Sequence, residues 1–123
     1  MTQMFDDRKA RASTWFRELR DRIVAAFEGL EDAQATGPLA DAAPGRFEVT
    51  ETTRKADDGG DAGGGLMSVM RGGRVFEKVG VNVSTVHGTL GEKAQAAMAA
   101  RGVPGMAEDP RFWASGISLV AHM

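Results

Sequence analysis

No cysteine occurs among the 123 residues. That excludes a disulfide framework and any thiolate metal site. It fits a reducing compartment, and the cytoplasm is the expected location. Positive charge is not in excess either: fifteen Lys plus Arg face seventeen Asp plus Glu, a formal net charge of −2. Nucleic-acid binding driven by bulk charge is therefore not expected. Apolar runs are short. None approaches the ~18 residues that a spanning helix needs, and nothing reads as a signal peptide, so no membrane span is expected.

What remains is ordinary globular composition, 42% hydrophobic and 26% charged. The length suits one domain at most. A chain of this size hides only about two-thirds of its unfolded surface on folding, so its core is modest.

From Met4 to about Gln34 the spacing predicts an amphipathic helix. Ala12, Phe16, Leu19, Ile23, Phe27 and Leu30 step by three or four and draw one stripe. The polar face carries both signs of charge, which favours packing on a sheet over lying on a membrane. Gly37-Pro38 stops the helix. A loop runs to Gly45. Phe47 to Arg54 reads as a strand near a sheet edge, with Phe47, Val49, Glu51 and Thr53 on one face.

Residues 56–65, ADDGGDAGGG, read as too glycine-rich and polar for regular structure. Leu66 to Arg71 is a short apolar run. Gly72-Gly73 suits a two-residue hairpin turn, and Arg74 to His87 reads as the returning strand. There Val79, Val81 and Val83 point one way and Asn82 and Ser84 the other; Gly80 marks a bulge or a close backbone approach. Glu92 to Arg101 reads as a short helix, Val103 to Pro110 as a loop, and Phe112 to Met123 as a strand with two distinct faces. The fold class is α+β, an antiparallel sheet flanked by helices.

Several residues are candidates for chemistry. Gly63-Gly64-Gly65 invites a phosphate-loop reading, but Leu66-Met67-Ser68 follows instead of a Lys-Ser or Lys-Thr opening a helix, so a loop is the simpler reading. His87 and His122 are the only histidines. Either suits a base or a metal ligand, and either suits a structural or surface role. Ser118 and His122 share a strand face four residues apart. Their Cα separation of about 13 Å is too long for a direct Ser–His nucleophile pair, though one long pocket could include both. Arg71 and Arg74 suit carboxylate ligands or are solvated hairpin charges. Trp15, Trp113 and the six Phe read as core or interface residues.

Taken together, GGGLMSVMRGGRVFEKVGVNVSTVHGTL and RFWASGISLVAHM resemble the oxygen-dependent coproporphyrinogen III oxidase family. The matching elements are Gly63 to Gly65, the Val75-Phe76-Glu77-Lys78 box, Gly80-Val81-Asn82-Val83-Ser84 leading to Val86-His87-Gly88, and Gly116 to His122. The likeness covers Phe47 to Met123 well, and the N-terminal helix only loosely. It implies conversion of two propionate side chains of coproporphyrinogen III to vinyl groups in haem synthesis, giving protoporphyrinogen IX. Molecular oxygen is the oxidant, and carbon dioxide and peroxide leave. It also implies a homodimer, a large antiparallel sheet flanked by helices, and no organic cofactor. Ser118 matches a substrate-contacting serine. His122 matches a histidine proposed as a ligand to a divalent metal in some bacterial members. Ser68, Val69, Met70, Arg71, Val75, Phe76, Glu77 and Lys78 match the hairpin that contributes to the subunit interface.

The sequence also departs from the family. Members are considerably longer. The Asn-Pro stretch, the segment with the proposed acid–base histidine, and the arginine and aspartate given catalytic roles would lie beyond residue 123. Met123 stands where many members have proline, and Thr52 and Thr53 occupy a region where tryptophan is common. The expectation is a single incomplete domain, residues 1–123, with a helix over 1–34 and a partial sheet with one short helix over 46–123. Such a chain carries one wall of a site and has little or no activity alone. The alternative is a non-catalytic porphyrin-binding or dimerisation fragment. Uncovered strand faces predict low solubility or a molten state.

Overall fold

The computed structural model describes residues 2–123. The element order is α1 (Thr2–Ala33), β1 (Phe47–Lys55), β2 (Asp61–Arg71), β3 (Lys78–Thr89), α2 (Glu92–Ala100) and β4 (Arg111–His122). The strands form one antiparallel sheet in the order β1-β2-β3-β4, so β1 and β4 are its edges. The α+β class and the edge position of β1 agree with the sequence reading.

Helix α1 lies on one face of this sheet. Met70, Val79 and Val81 have no exposed surface, and Phe76 joins them. Ile23, Val24 and Phe27 of α1 close over that cluster, with Phe47, Val75 and Ile117 at its margin. Phe27 meets Phe76 edge-on at 4.9 Å and Phe47 at 6.4 Å. A buried Met or Val side chain contributes about 1.5–3 kcal/mol, so this small patch carries much of the hydrophobic stabilisation.

Four expectations are corrected. The glycine run is not loop: the turn closes at Gly60, and Asp61 already opens β2. Glycine is required there because the neighbouring strands crowd in. A Cβ on Gly63 would collide with the Thr85 carbonyl, and one on Gly65 with the Val83 carbonyl. The hairpin does not turn at Gly72-Gly73. Gly72 N–H donates to the Glu77 carbonyl (2.9 Å) and Gly73 N–H to the Phe76 carbonyl (3.0 Å), so the tip lies at Arg74 and Val75 and β3 starts only at Lys78. Gly80 marks no bulge, since the β2–β3 register runs unbroken from Gly63 to Arg71. Finally, Leu30, expected on the buried stripe, is exposed, and Trp15, expected in the core or at an interface, lies outside the core. The buried stripe of α1 ends on Glu31, one turn after Phe27.

Candidate functional site

The strand register places residues on the two sheet faces. The face under α1 carries Met70, Ser68 and Leu66 beside Val79, Val81 and Val83. The opposite face has no helix over it among the described residues, and the register orders it into rows. One row runs Thr50, Met67, Asn82, Ser118. On one side of it lie Gly80 and Val120, and on the other Gly65, Ser84 and Gly116. The end row is Arg71, Lys78 and His122. The open face therefore has a cationic end, a band of Val69, Gly80 and Val120 with Glu48 at its β1 edge, and a row in which the amide of Asn82 and the hydroxyls of Thr50 and Ser118 accompany Met67.

Two glycines of this face have no internal explanation. A Cβ on Gly80 or Gly116 would meet nothing within 4 Å. Both sit inside strands with φ outside the left-handed region. Glycine weakens a strand interior and commonly marks a place where something else approaches closely. Gly80 and Gly116 flank Asn82 and Ser118, so the polar row stands on a floor that a flat molecule can lie against.

Ser118 and His122 do share this face, with Val120 between them, and all three are exposed. His122 stands beside Lys78, and its carbonyl accepts the Glu77 N–H at 2.9 Å. Among the described residues no group of three or more His, Asp or Glu side chains converges on a point. His122 is one ligand beside a cation. A divalent ion needs several ligands, and these residues alone do not fit one.

The residues matched to the subunit interface divide between the faces. Ser68 and Met70 are fully buried beneath α1, and Phe76 is in the core. Val75 packs against that core. Val69, Arg71 and Lys78 lie on the open face, and Glu77 is exposed beside it. Arg74 is engaged inward: its Nε donates to the Ala42 carbonyl at 2.6 Å. His87 lies on the helix side opposite Trp113, with Nε2 3.8 Å from Asp61. It is separate from the open face. Gly63 to Gly65 lie in a strand and do not open a helix, so no phosphate cradle forms there.

Two functional placements escaped the sequence reading. The buried Glu31 carboxylate accepts four backbone N–H groups: Gly45 and Arg74 on Oε1, Val75 and Phe76 on Oε2. Burial pushes its pKa up, but the four hydrogen bonds prevail and hold it below the ordinary glutamate value. A side chain on Gly73 would strike this carboxylate, so glycine is required where loop and acid meet. Arg20, also on the buried stripe, donates to the Ser68 hydroxyl at 2.9 Å and pairs with Asp21. The signal for both was available: each sits at a helical repeat from Ile23, Val24 or Phe27, where a charged residue must find partners. At the start of β4, Arg111 binds Asp109 and draws its pKa down to about 2.

The family described as coproporphyrinogen III oxidase matches residues 11–123. A Rickettsia bellii protein named oxygen-dependent coproporphyrinogen-III oxidase is 47% identical over 113 residues, which is 90% of this chain and 35% of the relative. A Rickettsia felis protein of the same name is 43% identical over 119 residues, 95% of this chain and 37% of the relative. The chain thus spans about a third of the length of the curated relatives it matches.

Proposed function

Because the chain belongs to the coproporphyrinogen III oxidase family, we propose that its open sheet face is the substrate-bearing wall of an oxygen-dependent coproporphyrinogen III oxidase. The observation that carries this reading is the bare floor at Gly80 and Gly116 around Ser118. A tetrapyrrole is broad and flat, and two mid-strand glycines with open space above them leave room for one. The Ser118 hydroxyl donates to a propionate or accepts a pyrrole N–H. Arg71, Lys78 and, when protonated, His122 attract carboxylates at the other end of the face.

The reaction needs little from this wall beyond binding and orientation. Each propionate loses CO2 and two electrons and becomes a vinyl group. Dioxygen takes those electrons with two protons and leaves as peroxide; one proton comes from the side chain and one from the medium. The electron-rich porphyrinogen reacts with oxygen without an organic cofactor if the site handles protons. Ser118 and His122 are exposed, and among the described residues nothing covers them to exclude water. That exposure supports the reading that the chain alone binds the macrocycle and turns it over slowly or not at all.

The test is a chimera in which this chain replaces the matched segment of the Rickettsia bellii relative. With coproporphyrinogen III and oxygen, the chimera should form the divinyl product, and Ser118→Ala should weaken substrate use. A folded chimera without turnover, or one indifferent to Ser118→Ala, contradicts the reading. A second reading, a dimerising fragment, draws on the free edge of β4 and exposed Leu119 and Val120. Sedimentation decides it: a monomer at all concentrations overturns it.

A further inference from the structure

Resting on that reading, we infer that Asn82 is a second substrate-binding residue, forming with Ser118 a two-donor clamp for one propionate carboxylate. Asn82 stands directly opposite Ser118 across β3 and β4 on the open face. Directly opposed residues have Cα atoms about 4.5–5.5 Å apart, so the amide N–H2 and the hydroxyl reach one carboxylate together. Both side chains are exposed, and neither has a hydrogen-bond partner among the described residues. The contrast with the other face is direct: there the cross-strand pair Thr85 and Ser115 is joined, hydroxyl to hydroxyl, at 3.0 Å. Asn82 is a poor strand former, and it holds up no neighbour. Gly80 and Gly116 beside the pair leave the approach to it open.

An anionic group suits the clamp better than a neutral one, because two aligned donors stabilise a carboxylate more strongly than a carbonyl. The Met67 side chain in the same row gives the attached methylenes an apolar contact.

The test titrates the chain with coproporphyrin III, the stable oxidised analogue, by fluorescence, and repeats the titration with its tetramethyl ester. Asn82→Ala should weaken binding of the tetra-acid about tenfold and leave the ester unaffected. Asn82→Asp should weaken the tetra-acid further, by repulsion, and Asn82→Ser should recover part of the loss. Unchanged melting of all three variants separates binding from folding. Native binding with no effect of Asn82→Ala, or equal losses for acid and ester, overturns the clamp and leaves the wall standing. No binding of the tetra-acid by the native chain overturns both.

Discussion

The Glu31 carboxylate accepts the N–H of Phe76, a residue 45 positions further along the chain, and so fastens the end of α1 to the tip of the β2–β3 hairpin. Gly45, Arg74 and Val75 share the same carboxylate. The open face depends on this fastening, because the hairpin carries Arg71 and Lys78 at the cationic end.

Removing the carboxylate leaves several inward N–H groups without acceptors, each costing about 1–3 kcal/mol. Glu31→Ala should therefore destabilise the fold by about 3 kcal/mol or more in urea unfolding. Glu31→Gln should also destabilise, since its N–H2 faces donors. The folded-state pKa lies below the unfolded value. The stabilisation is thus complete above the ordinary glutamate pKa of 4.5 and is lost as the pH falls through the lower folded value. Acid unfolding of the native chain should show this limb, and Glu31→Gln should flatten it.

The Gly65 backbone lies against the Val83 carbonyl with no space for a side chain. Gly65→Ala should open the β2–β3 ladder there and cost about 2 kcal/mol or more, read by thermal melting and by faster amide exchange at Val83 and Thr85.

These two sites also show what the sequence could reveal. Period 3.6 in α1, the β-branched run of β1, the Ala-rich run of α2 and alternation in β4 are properties of single segments, and they located those four elements to within two residues at each end. The same alternation put Ser118, Val120 and His122 on one face. Glu31 is legible as a charge on the buried stripe of α1, but its partners come from residues 45 and 74–76, which only the fold assembles. The glycine run misled because glycine marks flexible loops and crowded strands alike, and only the carbonyls of β1 and β3 distinguish them. Asn82 was assigned to the right face, but its pairing with Ser118 depends on register, which alternation does not fix.

Gly116 has space above it and no internal reason to be glycine. Gly116→Val should leave melting unchanged or raise stability by up to about 1 kcal/mol, while abolishing coproporphyrin III binding. A valine variant that binds as well as the native chain would show that nothing lies on that floor.

Val120 is 59% exposed on the edge strand β4, and Leu119 is 47% exposed beside it. An uncovered edge of this kind pairs with other chains. The native chain should associate as its concentration rises, and Val120→Lys should shift sedimentation toward monomer. Unaltered association in the lysine variant would place the contact elsewhere.

Amide-resolved NMR of the chain titrated with coproporphyrin III tests the tetrapyrrole wall most directly. Shifts should concentrate at Gly80, Asn82, Gly116, Ser118 and Val120, with α1 unaffected. Shifts confined to the α1 surface around Trp15, or none at saturating porphyrin, would contradict it.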